Sequence, residues 1–169
     1  RTAWPCAWRC CICWPGRRIR EWNNLLRIYL DNCCFNRPFD DQDQIRIQLE
    51  TEATVYILEQ VTQGRLELAW SYILDFENAA NPFRERKRST DLWKSRSAIN
   101  IQEAQTVVPI AQIIRERGLK DVDSLHIACA IAAECDLFVS TDDSILKYAN
   151  RIGEIRVTDP ITFAKELDK

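Results

Sequence analysis

Four short apolar runs, each separated from the next by helix-patterned sequence, do most to limit the folds open to this chain. Residues 25–30 (LLRIYL), 66–70 (LELAW), 136–139 (DLFV) and 154–157 (EIRV) read as strands. The first two are nearly continuous in apolar side chains rather than alternating, as expected of strands covered on both faces. Between them, Leu49, Ala53, Tyr56, Ile57 and Val61 recur at helical spacing over residues 45–63, and Gly64 closes that helix. Ser71 is a good N-cap for a helix that runs to about Asn81 and Pro82. A further helix is expected over about residues 101–117, bent by Pro109 and ended by Gly118. In residues 121–133, Val122, Leu125, Ala128, Cys129 and Ala132 form a stripe of mostly small side chains that lets a helix lie close on a sheet. Shorter helices are expected at 143–150 and 160–167, a loop at 32–43, and a mainly basic segment, helical at its start, at 83–97. Strands that alternate with helices join through crossovers into a parallel sheet with helices on both faces, and residues 25–169 show no second domain.

Residues 1–24 are sequence of another kind. They hold four of the six Trp (Trp4, Trp8, Trp14, Trp22) and four of the eight Cys (Cys6, Cys10, Cys11, Cys13). Five Arg against one Glu give them +4, so residues 25–169 carry −6 of the chain's net −2. Pro5 and Pro15 interrupt the segment, and neither helical nor strand periodicity is visible, nor the apolar core of a secretory signal. We expect a disordered or non-native extension, as Trp-, Cys- and Arg-rich text arises when a GC-rich reading frame is extended. A thiolate metal site on Cys6, Cys10, Cys11 and Cys13 is the rival, but the spacing lacks a C-x2-C knuckle and a second half. The chain has no Met, even at position 1, from which translation is expected to have begun upstream.

Composition narrows the chemistry. His126 is the one histidine, so every Ser–His–Asp or Cys–His arrangement must pass through it, and zinc sites with two or three His are excluded. The net acidity argues against binding nucleic acid by bulk positive charge. No apolar run approaches the ~18 residues a membrane span needs. Cys33, Cys34, Cys129 and Cys135 show no disulfide spacing and read as small buried hydrophobes of a cytoplasmic protein.

What remains is carboxylates. In an open parallel sheet, ligands sit outside the carboxyl ends of the strands, where strand order reverses. Asp31 ends the first strand, Asp142 lies just past the third, and Glu77 and Asp123 sit at the starts of two otherwise apolar helices. Carboxylates that converge repel one another and stay ionised together when divalent cations neutralise them, so such a cluster implies Mg2+ or Mn2+. Asp75 points roughly away from Glu77 on its helix, Asp121 fits helix-start chemistry, and Asp143 is a neighbour able to assist a metal. His126 lies one turn after Asp123 and reads as a packed helix histidine in preference to a contact of the site. Arg84, Arg86, Lys87 and Arg88 form the densest basic cluster, suited equally to RNA phosphates or to a solvated helix face.

Four marks in order, Ile28-Tyr29-Leu30-Asp31-Asn32, Ser71 with Glu77 six residues on, Asp123-Ser-Leu-His-Ile-Ala, and Phe138-Val139-Ser140-Thr141-Asp142, resemble the PIN-domain family of metal-dependent nucleases, to which the toxins of VapBC-type toxin–antitoxin modules belong. The resemblance runs through residues 26–169. It implies a three-layer α/β/α sandwich on a central, mainly parallel sheet of four to five strands. It makes Asp31, Glu77, Asp123 and Asp142 both the metal ligands and the catalytic residues, with Ser140 as the family's hydroxyl. The implied activity is Mg2+- or Mn2+-dependent hydrolysis of RNA by metal-activated water, leaving a 5′-phosphate. An antitoxin protein that blocks the acidic groove and a homodimer are implied as partners. Many relatives carry Asp-Thr-Asn or Asp-Thr-Ser at the first acid, where this chain has Asp31-Asn32-Cys33. The rival within enzymes is a phosphatase using Asp31 as nucleophile, which would want an Asp where Cys33 stands. The rival outside enzymes is a PIN-like RNA- or protein-binding module without turnover.

Overall fold

A computed structural model describes residues 25–168. Five strands, β1 (Leu26–Leu30), β2 (Leu66–Ser71), β3 (Ile99–Ile101), β4 (Leu137–Val139) and β5 (Arg156–Thr158), form one all-parallel sheet in the order β3-β2-β1-β4-β5. The chain builds outward from β1 on one side, then returns to build on the other, so strand order reverses between β1 and β4. Ile28, Tyr29 and Leu30 are all fully buried. Successive strand side chains point to opposite faces, so both faces at β1 are covered. Leu68, Ala69, Trp70 and Ser71 repeat the pattern in β2.

The sheet is dressed by α1 (Asn32–Asn36), α2 (Ile45–Thr62), α3 (Tyr72–Ala80), α4 (Arg84–Lys94), α5 (Val107–Glu116), α6 (Asp121–Ala132), α7 (Asp143–Leu146) and α8 (Pro160–Leu167). α2 packs on α8, while α6 packs on α5, α3, β2 and β4. α6 is therefore enclosed on most of its circumference, which corrects the expected stripe. Ala128 and Cys129 are buried, but so are Ser124, His126, Ile127 and Ala130, and Val122 is exposed. Small residues on several sides let two helices and two strands approach at once.

Three other expectations change. Residues 99–101 are the edge strand β3, and the helix begins only at Val107. Two half-buried isoleucines flanking an exposed Asn100 leave no apolar run for sequence to report. Pro109 falls in the first turn of α5, where its missing N–H has no intrahelical partner to lose. Residues 32–36, expected as loop, make a one-turn helix held down by buried Cys34 and Phe35. The expectations for residues 1–24, including the cysteine metal site, lie outside the described residues.

At the amino end of β1, Arg27 clamps the sheet. Its Nε pairs with Glu67 at 2.9 Å, its Nη1 donates to the Ala133 carbonyl at 2.7 Å, and its backbone N–H donates to Asp136 at 2.8 Å. The opposite, carboxyl end is left free for side chains that do other work.

Candidate metal centre at the sheet switch point

β1 and β4 run side by side up to Leu30 and Val139, and the Asp31 N–H extends the ladder by donating to the Val139 carbonyl at 2.9 Å. Asp31 occupies the N-cap position of α1, yet its side chain makes no capping hydrogen bond. Its Oδ2 instead accepts from the Ser140 hydroxyl at 2.7 Å and the Cys33 thiol at 3.1 Å. A buried carboxylate has thus been turned from helix capping toward the crevice between β1 and β4. Ser140 Oγ also accepts the Asp142 N–H at 3.0 Å, tying the turn after β4 to Asp31. Asp142 does cap its helix: its Oδ1 accepts the Ser144 N–H at 2.7 Å.

Glu77 arrives from α3. Ser71 ends β2 and caps α3 through the Leu74 N–H, which sets where the helix starts and hence where Glu77 emerges two turns on. Its Oε2 lies 2.8 Å from His126 Nε2. Ligand atoms of Asp31, Glu77 and His126 all lie within 4.8 Å of one another. Asp123 lies in the first turn of α6, one turn before His126. Burial, then the negative charges of Asp31 and Asp142, push the Asp123 carboxyl above its ordinary value. Two of the predicted acids, Asp31 and Glu77, thus meet in one cluster with His126, while Asp123 and Asp142 lie outside that cluster, Asp123 near enough to feel the charges of Asp31 and Asp142.

Of the neighbouring acids, none joins them. Asp75 accepts from the Trp70 indole at 2.9 Å and from Lys94 at 2.8 Å, which makes it a structural acid. Asp75→Asn keeps the acceptor for Trp70, so it should lose well under about 1 kcal/mol with its half-exposed Lys94 pair. Cleavage of RNA in Mn2+, the activity that the resemblance implies, should stay within several-fold of wild type in this variant. Asp121 faces Arg115 at 3.4 Å, and Asp143 receives both Arg46 Nη atoms at 2.6 and 2.7 Å.

Two residues belong to the site against expectation. His126 is packed, as foreseen, but it also contacts Glu77. Burial lowers its pKa, while the Glu77 hydrogen bond and the charges of Asp31, Glu77 and Asp123 outweigh that and leave it raised overall. Cys33 is not an inert core thiol, because its Sγ also lies 3.4 Å from Ser140 Oγ and accepts the Thr141 N–H at 3.3 Å. The same-face positions of Tyr29 and Asp31, two apart on β1, were a usable signal that Tyr29 and its contacts lie near the first acid. Buried Cys129 does behave as expected, since burial pushes its thiol up to about 11.

Beside the crevice, a charged lattice braces the β4–α7 turn. Arg37 Nη2 donates to Thr141 Oγ1 at 2.6 Å, and its Nε lies 3.0 Å from Glu50 Oε2. The other Glu50 oxygen accepts from Arg46 at 2.8 Å. Of the basic cluster on α4, Arg86 is committed elsewhere: it pairs with Asp40, donates to the Phe39 carbonyl at 2.6 Å and stacks over Phe39 and Phe83.

Among the described residues, no Lys or Arg lies within ion-pair distance of Asp31, Asp123 or Asp142. Lys120 and His126 offset only part of the charge that Asp31 and Asp142 impose on Asp123, and oxygen donors held under such repulsion suit a hard divalent ion. A folded-state pKa above the unfolded value contributes stability below the unfolded pKa and loses it as pH rises through the folded one. Metal-free protein at neutral pH therefore carries a repulsion that Asp123→Asn removes. The variant's melting point in EDTA should rise by about 2 °C, a modest figure because Asp123 is half-exposed and solvent screens it, and the Mn2+-induced rise should vanish.

A family model described as PIN domain matches residues 28–151. Among curated proteins, no relative matches. Among solved structures, the fold is similar to a chain of the VapBC2 complex of Rickettsia felis, crystallised with a DNA fragment from its promoter. The TM-score is 0.53 at 18% identity, covering 79% of this chain and 98% of that one.

Proposed function

This chain belongs to the PIN domain family, and from that premise we propose that it is a Mg2+- or Mn2+-dependent endoribonuclease, the toxin of a toxin–antitoxin pair. The observations that carry the reading are the approach of Asp31 and Glu77, with His126, to within 4.8 Å of one another, and the charges of Asp31 and Asp142 felt at Asp123. Asp31, Glu77, Asp123 and Asp142 would hold one or two ions there. A bound divalent ion supplies a water acidic enough to act as nucleophile at neutral pH and offsets charge on the phosphate.

The chain's own residues do the rest. Ser140 and Cys33 fix Asp31 by donating to one oxygen, which leaves its other oxygen for the crevice. The Ser144 N–H takes one oxygen of Asp142 in the same way. The acidity of the groove keeps RNA phosphates out unless a cation is bound, so metal and substrate binding are coupled. No histidine base is required, in keeping with a single imidazole already engaged by Glu77 and Tyr29. The VapBC2 neighbour pairs with a second protein, and a basic antitoxin segment, with an Arg standing where a cation would, fits the same acidic crevice here.

The test is cleavage of single-stranded and hairpin RNA in Mg2+ or Mn2+ with an EDTA arm. Cleavage in metal that stops in EDTA is expected. Cleavage that persists in EDTA would overturn the metal reading, and RNA binding without turnover would put the binding module in its place.

A further inference from the structure

Behind the acids lies a polar chain that the proposed reaction does not consume. Ser71 Oγ lies 2.6 Å from the Tyr29 hydroxyl, which lies 2.8 Å from His126 Nδ1, and His126 Nε2 lies 2.8 Å from Glu77 Oε2. Ser71 and Tyr29 are fully buried and His126 is 1% exposed. The Tyr29 ring stacks on Phe138 at 5.4 Å and meets the imidazole edge-on at 5.8 Å. Burial keeps Tyr29 a neutral phenol.

The donors can be assigned from the ends inward. An ionised Glu77 only accepts, so His126 Nε2 carries a hydrogen in either protonation state. Ser71 Oγ already accepts the Leu74 N–H. With the imidazole neutral, Ser71 donates to Tyr29, Tyr29 donates to Nδ1, and Nε2–H donates to Glu77. Every member is satisfied, which is the condition for a buried polar network to specify one geometry.

The four acids differ in what else holds them. Asp31 has Ser140 and Cys33, and Asp142 has the Ser144 N–H. Glu77 has one more rotatable bond than they do, and among the described residues His126 is its one hydrogen-bonding partner. Its backbone is placed by the Ser71 cap, and Ser71 also touches Tyr29. Tyr29 in turn stands two residues before Asp31 on β1. The strand that supplies the first acid therefore anchors the second.

We propose that His126 is the positioning residue of Glu77, locked at Nδ1 by Tyr29 and aiming the carboxylate into the metal crevice through Nε2. The proposal rests on the metal-nuclease reading. Its consequence is that metal affinity depends on two side chains, Tyr29 and His126, that need not touch the ion.

Asparagine and glutamine separate this role from mere packing. An Asn amide reaches the position of Nδ1 and keeps the Tyr29 contact, whereas a Gln amide reaches that of Nε2 and keeps the Glu77 contact. The experiment measures Mn2+ affinity of the full chain from the EPR signal of free Mn2+, with melting in EDTA recorded for each variant. His126→Asn should weaken Mn2+ binding about 10–100-fold, the usual effect of removing a ligand's hydrogen-bonding support. His126→Gln should recover to within about five-fold of wild type, and Tyr29→Phe, which frees the ring at Nδ1, should lose about ten-fold. Wild-type affinity in His126→Asn, or equal loss in the Asn and Gln variants, would overturn the proposal in favour of packing. If His126→Asn shows no melting transition, Tyr29→Phe decides, and unchanged affinity there overturns it. Asp31→Asn keeps the two readings apart. Loss of Mn2+ binding in that variant beside unchanged affinity in His126→Asn sinks the positioning role alone, whereas a wild-type chain that binds no Mn2+ sinks the nuclease reading beneath it.

Discussion

Asp31→Asn should reduce Mn2+-dependent RNA cleavage by roughly three orders of magnitude, about 4 kcal/mol of transition-state stabilisation. The substitution keeps the size of the side chain and an oxygen able to accept from Ser140, so the turn after β4 should hold. What goes is the negative charge at the centre of the crevice, on a carboxylate only 6% exposed. The expected signature is a dissociation of effects: metal-free melting within about 2 °C of wild type, Mn2+-induced stabilisation gone, and cleavage gone. An ordinary structural acid would show the reverse, with stability lost and metal response intact. Cleavage at near wild-type rate in Asp31→Asn would remove the metal-nuclease assignment.

Glu50→Ala should be the costliest of the substitutions for stability. Glu50 is buried, its side chain 4% exposed, between two guanidiniums, with Arg37 itself only 17% exposed. Deleting the carboxylate leaves the Arg37 charge in the wall of the fold with Asp40 alone, at 3.2 Å. Stranding one partner of a buried pair costs about 3 kcal/mol, or a fall of roughly 6–12 °C in Tm for a domain this size. Glu50→Gln, which keeps shape but not charge, should lose about half as much. Melting in EDTA measures both. Because Arg37 also holds Thr141, the residue before Asp142, Mn2+ affinity should fall with stability. A Tm loss under about 3 °C for Glu50→Ala would mean that Arg37 re-pairs or reaches solvent.

The parts of this fold that sequence reveals are those where one physical demand acts alone. β1 and β2 are buried on both faces and so read as apolar runs. β3 is an edge, three residues long, and its half-buried Ile99 and Ile101 look no different from the entry to a helix. α1 has no period at five residues, and its helicity comes from burying Cys34 and Phe35 against neighbours distant in sequence. The candidate site divides in the same way. Glu77 lies two turns past the Ser71 cap, at a fixed spacing from it, and Asp31, Asp123 and Asp142 stand at a strand end or a helix start, positions that pattern can find. Their supports do not: Glu77 and His126 are 49 residues apart and Tyr29 and His126 97 apart, so the hydrogen bonds joining them leave no local trace. Glu50 is hidden differently, as one more acid in the polar text of α2, since a buried ion pair and a surface one are spelled with the same letters.

The placement of β1 at the middle of the sheet also sets a timetable. Its neighbour β4 pairs Leu137 with Ile28, residues made over a hundred positions apart. At typical rates of synthesis, that gap lasts roughly 5–20 s. Throughout it one edge of β1 waits unpaired, and contacts this distant in sequence form late in folding as well. A nascent chain ending before Leu137 holds Asp31, Glu77 and Asp123 but neither the strand that closes the crevice nor Asp142. The proposed metal centre therefore cannot assemble until β4 and the turn that follows it have left the ribosome.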